Sequence, residues 1–386
     1  MTQVGTATPT AADLLDAIRV LAPEIAARAP EIEAARRVPA DLLDRLKAAG
    51  CFRLLLPASH GGAGCSLAAA LPVYEELARA DASTAWVTLL GGATWIDLAS
   101  LPRQTFDAIY SPGADTIVAG VFNPSGTARP ADGGYVVDGR WSFASGCEHA
   151  DWFYGNCIDA SRGEPKLRIA VLPPDEISIE DTWSVSGLRG TGSHDVVVRG
   201  AIVPAERTLA LFADPPCIDT PLVRIEVPGA AALLMGSVAV GVAQAALDDV
   251  IDLAAGKTPL LSPTTLAANP RFQHVLGEAD VQLRAARSLL QADAAAVWAA
   301  TEAGGEMTLP MRARARSAGV HAVTAAAAVV DAAYRAAGGS AIYDSSPLQR
   351  RLRDSRSLTQ HFLVKDDTLT TCGAVLAGLE PDVDVF

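Results

Sequence analysis

Residues 139–152, GRWSFASGCEHADW, bring Trp141, Phe143, Ser145, Cys147, His149 and Trp152 into one short run. The mix fits no metal-ligand spacing, phosphate loop or nucleophile elbow. The chemistry it suits is done without a strong local charge. Ser145 carries a small hydroxyl that can donate or accept at close range, and Phe143 an apolar ring. The plainer reading has Ser145 ending a strand and Phe143 in the core, with His149 at a surface or strand end. A second run, DTWSVSGLRGTGSHDVVV at 181–198, offers Trp183, Thr191, Gly192 and Ser193. Its glycines permit close backbone approach and its hydroxyls can donate to phosphate oxygens, or the run is a β turn with a buried tryptophan. A third, PLQRRLRDSRSLTQH at 347–361, ends in His361, whose imidazole, with an ordinary pKa of about 6.5, can exchange a proton near neutrality. Its arginines, Arg350, Arg351, Arg353 and Arg356, read as a basic cluster or as helix salt bridges with Asp354 and other carboxylates.

Three compositional zones must position these residues. To about Pro112 the chain reads as helical: Leu42, Leu43 and Leu46 share one face, Pro39 suits a first helical position and Gly50 a helix end, and Tyr74, Leu77 and Ala78 mark another helix. From about Asp115 to Phe212, short β-branched and aromatic runs (VAGVF, YVVDGRWSF, LRIAVL, DVVVRG) alternate with Gly, Pro and Asp, predicting a β domain with a tight turn at Asp138-Gly139. From Val227 onward, Ala- and Leu-rich spacing predicts helices near 229–255, 271–301, 311–337 and 347–377, a helix bundle.

Composition narrows the classes. With 31 Lys and Arg against 44 Asp and Glu, the chain has a formal charge of -13, so a nucleic-acid partner is not expected. The uncharged run Val227 to Leu247 raises the membrane question, but its small residues, Ser237 and Gln244 read as a buried helix, and no membrane association is expected. Met1 to Thr10 lacks a basic start and an apolar core, so it reads as a frayed end rather than a signal peptide. Six cysteines without a C-x-x-C pair suggest neither a disulfide framework nor a zinc site, and a cytoplasmic location is the default. No dinucleotide or P-loop fingerprint is present, and HGGAG at 60–64, which resembles an oxyanion-hole loop, has no G-x-S-x-G elbow and reads as a turn.

The stretches at 133–152, 181–198 and 347–361, in this order and spacing, resemble the acyl-CoA dehydrogenase superfamily, and within it the two-component, flavin-dependent monooxygenase branch. The similarity spans nearly the whole chain. It implies an α+β, acyl-CoA dehydrogenase-like fold: an N-terminal helical domain (1–114), a central β-barrel or sandwich domain (115–215) and a C-terminal four-helix bundle (216–386). It implies reduced FMN or FAD delivered by a separate flavin reductase, dioxygen, a small organic substrate that is hydroxylated or N-oxygenated through a C4a-hydroperoxyflavin, and a homotetramer. An acyl-CoA dehydrogenase-like dehydrogenase or oxidase, and a flavin-free binding homologue, stay open as alternatives.

By the same resemblance, Phe143 lies against the flavin ring, the Ala144 and Ser145 backbone reaches its polar edge, and the Ser145 hydroxyl sits at the reactive locus. Phe122 and Asn123, in FNPSGTA, approach the pyrimidine side; Trp183 nears the ring, and Thr191, Gly192 and Ser193 the ribityl or phosphate. Arg271 reads either as reaching a phosphate from a neighbouring subunit or as a solvated helix-end arginine, and Trp86, Trp95 and Asn123 are implied to face the substrate. His361 matches the branch's histidine, while Phe362 stands where dehydrogenases carry their catalytic glutamate, leaving that base missing. Where relatives place a histidine before the tryptophan matching Trp95, this chain has Ala93 and Thr94, which points away from a simple phenol and toward a bulkier intermediate.

Overall fold

The computed structural model describes residues 9–159 and 165–379; the segment expected to fray, Met1 to Thr10, lies outside them except for Pro9 and Thr10. Six helices come first: α1 (Ala11–Ala35), α2 (Ala40–Ala48), α3 (Leu67–Ala80), α4 (Ala82–Ala93), α5 (Trp95–Leu98) and α6 (Arg103–Ile109). Thr10 and Asp13 close a capping box that satisfies two N–H groups at the start of α1. Leu42, Leu43 and Leu46 are buried as their spacing predicts, and Pro39 sits one position earlier than expected, as the residue preceding α2. Asp81 ends α3 and starts α4, its carboxylate accepting from Thr84 N at 2.7 Å. That single residue fixes the angle at which α4, the carrier of Trp86, leaves α3.

Seven strands follow: β1 (Val118–Ala131), β2 (Gly134–Ala144), β3 (Trp152–Asp159), β4 (Lys166–Leu172), β5 (Ser178–Glu180), β6 (His194–Pro204) and β7 (Thr208–Ala210). Among the described residues they form one mixed sheet in the order β5-β6-β2-β1-β3-β4-β7, with edges at β5 and β7 rather than a closed barrel. The hairpin joining β1 to β2 turns at Asp132-Gly133, where Gly133 has φ 77, and not at Asp138-Gly139. The second Asp-Gly is held mid-strand by what lies over it. Gly126, Gly139 and Gly155 leave no room for a Cβ because the buried Trp141 indole fills that space, donating from Nε1 to Asn156 O at 2.8 Å. These glycines serve close approach, not a turn.

The C-terminal part holds α7 (Val227–Gly256), α8 (Pro270–Glu302), α9 (Leu309–Ala337), α10 (Pro347–Leu358) and α11 (Thr368–Leu376). The first three match the predicted spans closely. The span expected as one helix over 347–377 is broken: α10 stops at Leu358, a 3-10 turn covers Phe362–Val364, and α11 begins at Thr368. His361 makes the break, with extended backbone (φ -70, ψ 130) and Nδ1 accepting from Leu363 N at 3.3 Å. Helix α7, long and apolar enough by composition to span a bilayer, is here enclosed by α3, α8, α9 and α10.

Candidate active site

Where β2 ends, Phe143 adopts φ 67, a left-handed conformation unfavourable for a bulky side chain, and the residue is 71% exposed. The distortion carries the chain out of the strand and points Ser145 toward α4. Ser145 Oγ accepts from Trp86 Nε1 at 3.1 Å and lies 2.7 Å from Ser193 Oγ; Ser193 Oγ lies 2.7 Å from Thr191 Oγ1, which donates to Leu188 O at 2.8 Å. Gly146 N also donates to Thr191 O at 2.9 Å, tying the 139–152 and 181–198 stretches together by backbone. Thr191 and Ser193 are buried, whereas Ser145 is half-buried, so the chain of hydroxyls opens at Ser145 alone.

Leu188, with φ 52, is the node at the far end. Its carbonyl also accepts from Trp183 Nε1 at 3.1 Å, and its N–H donates to Asp354 Oδ1 on α10 at 2.7 Å. Beside it, Arg353 donates to Ser186 O, and the Arg353 carbonyl occupies the space a Cβ at Gly187 would need. The loop carrying the hydroxyls is thus latched to the helix that leads to His361. Burial pushes the Asp354 carboxyl up to about 7, with nearby Asp81 adding to the rise and the Leu188 N–H, Arg350 and Arg351 opposing it. The arginine cluster is mainly structural: Arg351 faces Asp249, Arg353 pairs with Glu33 and Arg356 faces Asp331, each on a neighbouring helix, while Asp354 is taken by the loop.

A run of rings lines the side toward α10. Trp86 meets His361 edge-on at 5.5 Å, His361 stacks on Phe362 at 5.0 Å, Phe362 stacks on Phe122 at 6.3 Å, and Phe122 meets Phe212 edge-on at 6.2 Å. Trp86 therefore touches both residues expected to do chemistry. Burial pulls the His361 imidazole down to about 4, below the unperturbed range assumed from its type, so the ring is neutral at pH 7. Because Nδ1 accepts from Leu363 N, the hydrogen resides on Nε2, and the ring presents a donor. Phe122 is delivered by a bulge: between Val121 and Gly126 the β1–β3 register slips, Pro124 lacks an N–H for the ladder, and Asn156 Nδ2 donates to Phe122 O at 2.8 Å.

The other expected residues fall in two groups. Phe143 meets Trp183 edge-on at 5.9 Å, Ala144 is buried opposite His194, Gly192 has φ 51, and Asn123 is held exposed on the bulge by Ser125 at 2.9 Å. Trp95 is not brought in. It opens α5, past the end of α4, and is buried against Phe106 in the helical core. Arg271 stands exposed in the first turn of α8, outside the hydroxyl chain and the ring cluster. At HGGAG the N–H groups of His60, Gly61, Gly62, Ala63 and Gly64 all bond backbone carbonyls, so the loop is a turn with no oxyanion-binding donors. Leu188, Asp354 and Phe212 were not singled out from sequence as site residues: a backbone amide carries no side-chain signal, and Asp354 among arginines resembles an ion-pair partner.

Family models for the N-terminal domain of acyl-CoA dehydrogenases match residues 8–99, and for the C-terminal domain residues 233–366. The chain is 34% identical over 371 residues to an indole-3-acetate monooxygenase of Pseudomonas putida, covering 95% of this chain and 93% of that one. It is 31% identical to the oxygenase component of an FADH2-dependent resorcinol hydroxylase of Rhizobium sp., covering 92% and 91%. XiaF from Streptomyces sp., solved with FADH2 and glycerol, superposes with a TM-score of 0.89 at 26% identity, covering 97% of each chain. Matched over both domain models and nearly the full length of these relatives, the chain belongs to the acyl-CoA dehydrogenase superfamily, in its branch of two-component flavin-dependent monooxygenases.

Proposed function

We propose that the face between Phe143, Ser145, Trp183 and Phe122 holds the ring of reduced flavin, and that the aromatic run from Trp86 to Phe212 seats the substrate beside it. The residues fit such a ring: Phe143 and Trp183 offer apolar surface, and Ser145 offers a neutral polar contact in a half-buried setting. Reduced flavin with dioxygen would supply one oxygen atom to the substrate and the other to water, or would release both as hydrogen peroxide if water reached the ring. Trp86, His361 and Phe362 exclude water, and the neutral His361 Nε2–H orients a substrate oxygen or nitrogen by donating to it. Arg271 bears on the choice between FMN and FAD, because its guanidinium has no ionic partner among the described residues and suits a distal phosphate.

Leu260 and Leu261, 93% and 96% exposed in the loop that follows α7, leave apolar surface that a homotetramer would cover. A cytoplasmic location is supported by six unpaired thiols. The observation that carries the function is the pairing of Ser145, in its hydroxyl chain, with His361 across the shared Trp86 ring. The test mixes the protein with a flavin reductase, NADH, flavin and isotopically labelled dioxygen over a panel of aromatic and heteroaromatic substrates. Label in the product is expected. Bleaching of bound oxidised flavin by acyl-CoA thioesters would establish the dehydrogenase alternative instead, and failure to bind any flavin would establish the flavin-free one.

A further inference from the structure

The hydroxyl chain has a direction. Trp86 Nε1–H at one end only donates, and the Leu188 carbonyl at the other only accepts. Between them lie four contacts, Trp86 to Ser145, Ser145 to Ser193, Ser193 to Thr191, and Thr191 to Leu188, and four hydrogens to fill them, one from the indole and one from each hydroxyl. One assignment satisfies all four: Thr191 gives its hydrogen to Leu188 O, so it accepts from Ser193, which accepts from Ser145, which accepts from Trp86. The Ser145 hydrogen is therefore spent inward. On its open side Ser145 has a lone pair and nothing to donate.

We propose that Thr191 and Ser193 are positioning residues that fix Ser145 as a hydrogen-bond acceptor, so that the site discriminates in favour of a flavin ring bearing N5–H, the reduced form, over the oxidised ring, whose N5 is itself an acceptor. This rests on the reading that Ser145 faces the flavin. Two acceptors in contact repel, whereas the reduced ring completes the valence of Ser145; a free serine hydroxyl, able to rotate, would serve both forms equally. The burial of Thr191 and Ser193 makes the polarity durable, since no water competes for their hydrogens and reversing the chain would forfeit the hydrogen bond from Thr191 to Leu188 O. The Leu188 latch to α10 holds the accepting end in place.

The experiment measures the affinity of the full-length protein for FMN and FAD in both redox states, by equilibrium dialysis for the oxidised forms and anaerobic titration for the reduced ones. It compares wild type, Ser193→Ala, Thr191→Val and Thr191→Ser. Wild type is expected to bind reduced flavin at least about tenfold more tightly. Either Ser193→Ala or Thr191→Val frees the Ser145 hydrogen to turn outward and should narrow that preference about tenfold, lowering the bound-flavin potential by about 30 mV. Thr191→Ser keeps the chain and should keep the preference. Equal affinity of wild type for both forms, or a wild-type ratio in both Ser193→Ala and Thr191→Val, overturns the proposal while leaving a flavoprotein. A wild type that binds neither form overturns the functional reading beneath it.

Discussion

Asp354→Asn tests the latch between α10 and the 183–193 loop. The Asp354 carboxyl is 3% exposed, and its pKa is pushed from an ordinary 3.8 to about 7 by burial, with Asp81 on the raising side and Arg350, Arg351 and the Leu188 N–H on the lowering side. Below about pH 4 folded and unfolded chains both hold the proton, and the group contributes nothing to pH dependence. Between about 4 and 7 the unfolded chain ionises while the folded one does not, so folding binds protons and stability falls as pH rises; above 7 the loss is complete. A rise of about 3 pKa units at ~1.36 kcal/mol each is on the order of 4 kcal/mol. Asparagine keeps a carbonyl oxygen for Leu188 N–H and removes the titration. The stability difference, variant minus wild type, should therefore grow in the variant's favour from pH 4.5 to pH 8, with any effect of the new amide adding a constant. Urea unfolding followed by tryptophan fluorescence at several pH values gives that difference. A flat difference would show that the arginines and the loop offset burial, and a variant that loses ground as pH rises would show that they outweigh it; either would refute the burial argument.

Three further outcomes follow from the site. Ser145→Ala removes the acceptor for Trp86 Nε1 and the polar contact to the ring, so peroxide release per flavin consumed should rise about tenfold, equivalent to ~1.4 kcal/mol, as read by a coupled peroxidase assay. His361→Ala should bind flavin and release peroxide but lose oxygenated product by ~10²-fold, the scale of a lost positioning contact; because burial holds the imidazole near 4, wild-type kcat/KM should show no limb from this residue between pH 6 and 8. Gly187→Ala places a methyl against the Arg353 carbonyl, so the loop must leave α10; flavin affinity should fall and hydrogen exchange at Leu188 should accelerate, whereas Gly256→Ala, with open space around it, should change neither.

How far the site was legible in the sequence depends on how local each cause is. The helices over 227–256, 270–302 and 309–337 came through because apolar spacing and helix length are properties of consecutive residues. Asp138-Gly139 misled because the same dipeptide serves a turn and a strand that must admit a tryptophan; only the position of Trp141 across the sheet separates the two, and that is tertiary. The break at His361 escaped for the opposite reason: TQHFLVKDD contains neither Gly nor Pro, and the helix stops because one imidazole accepts a backbone N–H two residues on. The expectation that His361 works near pH 6.5 failed with it, since residue type sets the reference pKa and packing against Trp86 and Phe362 sets the actual one. Ser145, Thr191 and Ser193 were visible as hydroxyls in two stretches roughly 50 residues apart. What no spacing shows is that they share hydrogens in one direction, because direction is decided at the ends, by an indole from α4 and a carbonyl held by an aspartate from α10. The sequence thus displays the groups that touch the chemistry, while the residues that give those groups their polarity and charge state are supplied by elements far away in the chain.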